Sequence, residues 1–274
     1  MSGKLYVVGT PIGNLGDMSP RAVETLENVD FIAAEDTRVT VKLLNHFNIK
    51  KEMLSYYEHN KNTKGNLIIE RILAGESCAV VSDAGMPAIS DPGEDLVRQA
   101  REAEIEIESV PGPSAVITAI SISGFPCGRF CFEGFLSMNK ISRRNHLEAL
   151  KNEKRTMIFY EAPHKLPATL NDFLKYFGNR EIALVRELTK IHETVLITTL
   201  EKAVEHYNEN TPKGEFVLIL KGADEEREES TLEDAVKIAQ KLVLEGMATS
   251  AAAKQAAEAT GIKKGDIYKS IINL

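Results

Sequence analysis

The feature that most constrains the fold is an alternation of short β-rich runs with helical patterns along the first half of the chain. The runs predicted to be strands are Leu5–Val8, Phe31–Ala34, Ala79–Ser82 and Glu106–Val110. The first helix follows Ser19-Pro20, where serine can cap the helix and proline suits its first position. Strands that alternate with helices are typical of βαβ units. The first half is therefore predicted to be an α/β domain with a mostly parallel sheet.

A Gly-Phe-Pro turn at residues 124–126 separates this half from a second α/β set. The strands predicted there are Arg129–Phe132, Thr156–Tyr160, Ile182–Val185, Val195–Thr198 and Phe216–Leu220. A chain of 274 residues also favours more than one domain, because single cores stop growing near this length. We therefore predict two α/β domains, at residues 1–120 and 121–222.

A third part is predicted at residues 230–274. The acidic stretch before it, 224–229, has four net negative charges and the composition of a linker. An amphipathic helix, an alanine-rich helix and a turn at Gly261 then follow, which is the outline of a helix-turn-helix. Small three-helix modules of this kind also serve in dimerisation, so the sequence leaves both roles open.

The charge distribution limits the kind of partner. The formal charge is −7 and the pI is near 5.5, which argues against indiscriminate binding to a polyanion. Two local basic patches stand against this background. Residues 140–155 contain six basic residues and two acidic ones, and a second patch near the C-terminus includes Lys263 and Lys264. Each patch is either a solvated helix face or a surface for phosphate groups.

Other composition features exclude several classes. No run approaches the ~18 uninterrupted apolar residues of a membrane span, and no signal-peptide pattern opens the sequence. We therefore expect a cytoplasmic protein with no membrane partner. The cysteines Cys78, Cys127 and Cys131 match no zinc-binding spacing, so we expect buried thiols and no metal site.

Three loops rich in glycine and proline, and one charged loop, follow the predicted strands of the first half. They are Gly9–Leu15, Glu35–Arg38, Val81–Pro87 with Asp91–Gly93, and Pro111–Ala115. Glycine allows close backbone approach to a ligand, while proline fixes φ. One such loop could be merely a tight turn. Four loops at the strand ends, where open α/β sheets bind ligands, favour a ligand cleft.

The nature of the ligand is narrowed by missing motifs. Gly9, Gly13 and Gly16 do not have the G-x-G-x-x-G spacing, and there is no G-x-x-x-x-G-K-[ST] phosphate loop. A phosphate-rich cofactor is therefore disfavoured. Carbonyl groups from rigid turns, with carboxylates such as Asp83, suit a cationic ligand that bears ribose hydroxyls. S-adenosylmethionine fits that description.

Motifs along nearly the whole chain carry a resemblance to a known family. They are Gly9-Thr-Pro-Ile-Gly-Asn-Leu15, Ala33-Ala-Glu-Asp-Thr-Arg38, Val81-Ser-Asp-Ala-Gly85, Asp91-Pro-Gly93, Pro111-Gly-Pro113, Arg129-Phe-Cys-Phe-Glu-Gly-Phe135, Phe159-Tyr-Glu161 with His164, and Arg186-Glu-Leu-Thr-Lys190 with Glu193. With these, the sequence resembles the tetrapyrrole-methylase-like superfamily. Within it, the sequence is similar to the branch that methylates a ribose 2′-hydroxyl of a cytidine in small-subunit (16S) ribosomal RNA.

The resemblance implies S-adenosylmethionine in a cleft between the two α/β domains. The residues that it places at the cofactor are Pro11, Val81, Ser82, Asp83, Met86, Ser114, Ala115, Tyr160, Glu161 and Leu188. The superfamily's Gly-Gly-Asp-Pro turn is here Val81-Ser82-Asp83-Ala84, which keeps the aspartate and replaces its neighbours. A homodimer is also implied.

The resemblance further implies an RNA substrate, either the free ribosomal RNA or the assembled small subunit. The predicted RNA-binding residues are Lys140, Arg143, Arg144, Lys263 and Lys264.

The general base is left open by the sequence. The predicted catalytic residues are Glu35, Asp36, Arg38 and Glu161, in segments that we expect to flank the acceptor ribose. Two alternatives stay open: a porphyrinoid methyltransferase of the same fold, and a non-catalytic nucleic-acid-binding protein that uses the helix-turn-helix.

Overall fold

The first half of the chain forms a parallel five-stranded sheet in the computed structural model, which describes residues 3–224 and 231–272. Its strands are β1 (Lys4–Val8), β2 (Phe31–Ala34), β3 (Glu52–Ser55), β4 (Cys78–Val81) and β5 (Glu106–Val110). Their order is β3-β2-β4-β1-β5. The helices between and after them are α1 (Pro20–Asn28), α2 (Thr37–His46), α3 (Lys61–Leu73), α4 (Gly93–Glu102) and α5 (Ala115–Ser123).

Helices cover both faces of this sheet, which explains its continuous apolar strands. Every residue of β2 and β4 is buried. Leu26 of α1 and Leu44 of α2 pack on one face, while Ile68 of α3 and Leu96 of α4 pack on the other. A parallel sheet that is buried on both faces needs uninterrupted apolar runs of this kind.

The second half forms a mixed five-stranded sheet. Its strands are β6 (Phe130–Phe135), β7 (Thr156–Glu161), β8 (Glu181–Arg186), β9 (Thr194–Thr199) and β10 (Phe216–Leu220), in the order β6-β7-β10-β8-β9. Its helices are α6 (Lys140–Ala149), α7 (Leu166–Phe177) and α8 (Leu200–Glu209). The pair β6–β7 is parallel, and the remaining strand pairs are antiparallel.

A β-bulge interrupts the pairing of β6 with β7. Phe132 is opposite Ile158 and Phe135 is opposite Tyr160, so β6 fits one more residue than β7 into the same interval. Gly134 takes φ +63° within this bulge. Because side chains alternate between the two faces of a strand, the extra residue brings Phe135 to the same face as Phe132.

Helix α5 joins the two sheets. Its Val116, Ala119 and Ile120 pack against Val185 and other apolar residues of the second sheet. The domain boundary predicted near residue 120 therefore falls inside a helix. Both sheets lie in one compact unit that extends to Ala223, and the division of this unit into domains 1–120 and 121–222 stays a prediction.

The second compact unit begins at Asp224 and consists of three helices in its described part. They are α9 (Leu232–Leu244), α10 (Thr249–Thr260) and α11 (Lys264–Ile272). Small side chains, among them Ala239 and Ala253, pack with Ile267 in its core. Gly261 ends α10 in the left-handed conformation, as the predicted turn requires. The predicted linker at 224–229 lies, beyond Asp224, outside the described residues.

The predicted fold class, two α/β sheets followed by a C-terminal helical module, is confirmed. Among the described helices, none is both long and apolar enough to cross a membrane. The expectation of three buried thiols is correct for Cys78 within β4 and wrong for Cys127, which is exposed because it lies in the loop before β6. Cys131 in β6 is only partly buried.

Candidate active site

The loops after β1, β2, β4 and β5 meet at one edge of the first sheet, where they line a cavity of about 600 Å³. Residues from β7, β8 and β10 of the second sheet form its other wall. This is the edge where parallel sheets bind ligands, and the volume suits a small molecule. We call this space the cavity.

Close backbone contacts hold three of these loops together. A Cβ added to Gly9 would lie 2.7 Å from the Cα of Gly112, and Gly112 donates its amide hydrogen to Sδ of Met86 at 3.3 Å. Thr10 and Gly85 exchange two backbone hydrogen bonds of 2.9 and 3.1 Å. The glycines of the sequence motifs are needed here because the loops touch backbone to backbone.

Reciprocal hydrogen bonds join the loop after β2 to the loop after β4. The amide of Asp83 donates to Oε2 of Glu35 at 3.4 Å, and the amide of Asp36 donates to Oδ1 of Asp83 at 3.1 Å. Burial raises the pKa of Glu35, and the neighbouring carboxylates of Asp83, Asp91 and Asp36 add to the rise. Glu35 is therefore a better proton acceptor than an ordinary surface carboxylate.

Asp36 and Arg38 form a tight pair at the start of α2. Asp36 caps this helix, since its Oδ1 accepts the amide hydrogen of Arg38 at 2.8 Å. The guanidinium of Arg38 also donates to both carboxylate oxygens, and this pairing lowers the pKa of Asp36 to about 2. The Arg38 side chain is 88% exposed and neither residue lines the cavity. The pair holds the loop that carries Glu35.

Glu161 is a buried carboxylate at the end of β7. The amide of Ala162 donates to its Oε1 at 2.9 Å, and the hydroxyl of Thr169 donates to its Oε2 at 2.5 Å. Arg143 in turn donates to Thr169 at 2.9 Å and to Asp172 at 2.7 Å. A chain of hydrogen bonds therefore runs from α6 through α7 to the cavity wall and fixes the orientation of Glu161.

Strained backbone occurs in two loops that reach the cavity from opposite sheets. Ala88 and Ser90 have φ of +68° and +66°, and Glu187 and Thr189 have φ of +54° and +63°. Residues other than glycine rarely adopt this backbone conformation, and the strain is greatest for a β-branched residue. Such residues concentrate at ligand sites and switch regions, where the surrounding structure holds them.

Most of the predicted cofactor residues line the cavity. They are Ser82, Asp83, Met86, Ser114, Ala115, Tyr160, Glu161 and Leu188. The other two predicted residues, Pro11 and Val81, do not line the cavity. Val81 is buried inside β4, and Ile12 lines the cavity in place of Pro11. Of the predicted catalytic residues, Glu35 and Glu161 line the cavity. The cofactor-binding and catalytic roles of these residues stay predictions.

The predicted RNA-binding residues are not all free to contact a partner. Lys140 and Arg144 are exposed on α6, whereas Arg143 is half-buried and bound to Asp172 and Thr169. Lys263 and Lys264 are exposed beside α11 in the second unit.

Sequence reasoning missed several residues of the cavity. They include Ile12, Ile89, Ser90, Phe135, Pro163, Val185, Glu215, Phe216 and Val217. Phe135 belongs to a quoted motif, and its glycine neighbour is the signal for the bulge that turns it. Glu215 immediately precedes β10, and Phe216 and Val217 begin it. A single sequence gives no sign of which strand end faces a ligand.

The chemistry of the lining suits a cation. The lining residues, all within the described part of the chain, include five carboxylates, Glu35, Asp83, Asp91, Glu161 and Glu215, and neither Lys nor Arg. Apolar side chains such as Ile12, Leu188 and Val217 form much of the remaining wall. A phosphate-rich ligand would be repelled by this lining, whereas a sulfonium compound would be attracted.

Comparison with known proteins identifies the family. A family model described as tetrapyrrole (corrin/porphyrin) methylases matches residues 4–204. The chain belongs to the tetrapyrrole methylase family. It is 47% identical over 274 residues to "Ribosomal RNA small subunit methyltransferase I" of Synechocystis sp., with 99% of this chain and 98% of that protein covered.

A shorter relative and a solved structure are also similar to this tetrapyrrole methylase. The protein of the same name from Thermotoga maritima is 46% identical over 222 residues, which cover 81% of this chain and all of that protein. The crystal structure of uroporphyrin-III C-methyltransferase from Thermus thermophilus, complexed with S-adenosylhomocysteine, has a TM-score of 0.57 at 17% identity. It covers 80% of this chain and 97% of its own, so it supports the fold. The two relatives share one name, which confirms the resemblance to the ribosomal RNA small subunit methyltransferases of this family.

Proposed function

We propose that this tetrapyrrole methylase transfers the methyl group of S-adenosylmethionine to the 2′-hydroxyl of a cytidine in small-subunit ribosomal RNA. The main observation in favour of this cofactor is the lining of the cavity. Among the described residues, this lining combines carboxylates and apolar side chains and contains neither Lys nor Arg. The names of the relatives support the RNA substrate. The solved neighbour in complex with S-adenosylhomocysteine supports the cofactor class.

The residues present fit this cofactor. Its bound sulfonium would supply an activated methyl group, so the protein has mainly to align the acceptor oxygen. The carboxylate of Asp83 and the turn from Ser82 to Met86 would hold the charged and polar parts, and Ile12 and Leu188 would cover the apolar ones. The rigid contact between Gly9 and Gly112 keeps this wall fixed.

Glu35 is our candidate for the general base. A ribose hydroxyl is a poor nucleophile near neutral pH, and a base with a raised pKa accepts its proton more readily. Glu35 lines the cavity and has such a pKa, because it is half-buried and lies near other carboxylates. Asp36 and Arg38 act as positioning residues for this loop. Glu161, which accepts two hydrogen bonds, orients the opposite wall.

The RNA surface that we propose centres on α6. Lys140 and Arg144 are exposed there, and among the residues that the structure describes they form no ion pair. Lys263 and Lys264 would add a second contact through the C-terminal unit. Cations of this kind bind phosphates in a salt-dependent way. We propose the cytoplasm, where ribosomal subunits are made, as the place of action.

A homodimer is also part of the proposal. The edge strand β9 exposes Val195, Leu196 and Ile197, and the nearby Ile191 is 97% exposed. An unpaired strand edge with apolar side chains favours association with a second chain.

The test is methyl transfer by the purified protein with labelled S-adenosylmethionine. Assembled small ribosomal subunits and free small-subunit RNA are the two acceptors, and ribose methylation is then mapped along the RNA. We expect one modified cytidine. Label in neither acceptor would refute the RNA substrate.

A porphyrinoid methyltransferase is the second candidate, favoured by the family and by its solved neighbour. Label transferred to a porphyrinoid extract and not to RNA would establish it. A non-catalytic helix-turn-helix protein would instead bind duplex nucleic acid and show no heat of binding with S-adenosylmethionine in calorimetry.

A further inference from the structure

We infer that Phe135 is the stacking surface for the base of the acceptor nucleotide and so positions that nucleotide at the cavity. This inference rests on the proposed function, since it assumes an RNA acceptor. It concerns a residue whose exposure and position neither the fold nor the cofactor requires.

Phe135 is an aromatic side chain that lines the cavity and yet is 56% exposed. Its ring lies 5.4 Å from the ring of Tyr160, and the ring of Tyr160 lies 4.9 Å from that of Phe132. Phe132 and Tyr160 pack with the apolar core beside α5, whereas Phe135 is the exposed member of this aromatic cluster. Exposing a large ring is unfavourable, so a ligand that covers it gains binding energy.

The bulge in β6 is what brings Phe135 to this position. Without the extra residue, strand alternation would turn Phe135 to the opposite face of the sheet, away from Tyr160. A Cβ on Gly134 would lie 3.2 Å from Oγ of Ser90, so the bulge also touches the strained loop after β4. The local structure therefore aims this ring into the cavity.

A second apolar side chain is available from the first sheet. Ile89 lines the same cavity, is 51% exposed and belongs to the strained loop that carries Ser90. Enzymes that act on an extruded nucleotide hold its base between aromatic and apolar side chains. Phe135 and Ile89, one from each sheet, supply both kinds of surface.

The surroundings favour a nucleobase as the occupant. Helix α6 begins five residues after Phe135 and presents Lys140 and Arg144 to solvent, which suits the phosphates that flank an extruded nucleotide. The cavity beyond Phe135 contains the carboxylate of Glu35 for the ribose hydroxyl. A nucleobase stacked on the exposed ring would thus have its sugar on the side of Glu35, the proposed general base. Its phosphates would lie on the side of Lys140 and Arg144.

The first experiment compares Phe135→Ala, Phe135→Leu and Phe135→Tyr in methyl transfer to small-subunit RNA. Loss of one stacked base predicts a rise in KM for RNA of roughly 5- to 150-fold for the alanine and leucine variants. The tyrosine variant should restore the wild-type KM, because it keeps an aromatic face. Binding of S-adenosylhomocysteine, measured by calorimetry, should change less than twofold. Leu73→Ala is the control, since Leu73 is exposed at the end of α3 and belongs neither to the cavity lining nor to the proposed RNA surface on α6.

The second experiment uses the absence of tryptophan from the sequence. Phe135→Trp introduces a single tryptophan at the proposed stacking site, and Leu73→Trp places one at the exposed end of α3 as a control. RNA that contains the mapped acceptor should quench the first fluorophore strongly and the second weakly. The same RNA without the base at that nucleotide should not quench the first.

Three outcomes separate the two proposals. If the wild-type protein methylates RNA but Phe135→Leu keeps its KM, or if the RNA without the base quenches equally, the stacking role of Phe135 is wrong and the proposed function stands. A wild-type protein that methylates no RNA refutes the proposed function. Parallel losses of RNA and S-adenosylhomocysteine binding in Phe135→Ala would assign the residue to the cofactor wall and overturn the inference.

Discussion

Two of the carboxylates that line the cavity, Glu35 and Glu161, differ in their surroundings. Glu35 is half-buried near other acidic groups and accepts one long hydrogen bond, from the amide of Asp83. Glu161 is 4% exposed and accepts hydrogen bonds on both oxygens. A carboxylate with free acceptor capacity and a raised pKa suits proton transfer, whereas one held by several donors suits positioning.

Replacing Glu35 tests this assignment through pH. We expect Glu35→Gln to lower kcat by about 10²- to 10⁴-fold, because the amide cannot accept the hydroxyl proton. In the wild-type protein, activity should fall as the pH decreases through the raised pKa of Glu35, since the protonated form is inactive. The variant should lack this acidic decline. Rates over a pH series show both effects, with Glu27→Gln on the exposed face of α1 as control. An unchanged acidic decline in Glu35→Gln would assign the proton transfer to another group.

The hydroxyl of Thr169 is expected to stabilise the wall that carries Glu161. Thr169→Val removes the donor to Glu161 and the acceptor for Arg143 while it keeps the size of the side chain. A buried polar group left without its partner costs about 1–3 kcal/mol of unfolding free energy. Urea denaturation measures this loss. Thr169→Ser, which keeps the hydroxyl, should retain most of the stability; equal losses in both variants would mean that packing, not the hydrogen bond, is responsible.

At the scale of elements, the sequence predicted nine of the ten described strands and missed β3. β2 and β4 are continuous apolar runs, so composition alone indicates them. β3, Glu52–Ser55, is a short edge strand with partly exposed residues, and its four residues carry no such pattern. Strand order and the bulge at Gly134 depend on contacts between distant segments, which periodicity within one segment does not contain.

The same limit applies to the site. The motif loops were predicted correctly because they follow recognisable strands, and eight of the ten predicted cofactor residues line the cavity. Arg143, in contrast, belongs to a basic run, yet its side chain binds Asp172 of α7. A charge count along the chain cannot show that partner, since it lies 29 positions away.

The contact between the loops after β1 and β5 gives a prediction at this scale. Gly9→Ala places a Cβ 2.7 Å from Gly112 and from Sδ of Met86, closer than atoms tolerate, so the loops must separate. Overpacking of this kind costs about 1–3 kcal/mol, and we expect binding of S-adenosylhomocysteine to weaken at the same time. Gly128→Ala is the matched control, because its Cβ would meet nothing within 4 Å. Calorimetry and urea denaturation of both variants provide the measurements. If Gly9→Ala matched Gly128→Ala in both, the close approach would have no role in shaping the cavity.

For the molecule as a whole, we expect the two compact units to have separable roles. The cavity and all of its lining belong to the unit that ends at Ala223. The Thermotoga maritima relative is covered completely by 81% of this chain, the share that this first unit makes up. The first unit has large apolar cores of its own, on both sheets, so it has the means to fold alone.

Removal of residues 224–274 should therefore separate substrate binding from cofactor binding. We expect the shortened chain to bind S-adenosylhomocysteine within about twofold of the full chain, because its cavity is complete. Its KM for small ribosomal subunits should rise, since Lys263 and Lys264 are lost with the second unit. In the full chain, Lys263→Gln with Lys264→Gln should lower the slope of log K against log salt by roughly 0.7–0.9 for each phosphate contact removed. Enzyme kinetics and salt titrations provide the two measurements.

Two other outcomes would change the interpretation of the second unit. A higher KM after truncation, with an unchanged salt slope in the double variant, would show that the second unit docks without these lysines. A loss of cofactor affinity equal to the loss of substrate affinity would instead give that unit a structural role, because binding in the cavity would then depend on helices that do not line it.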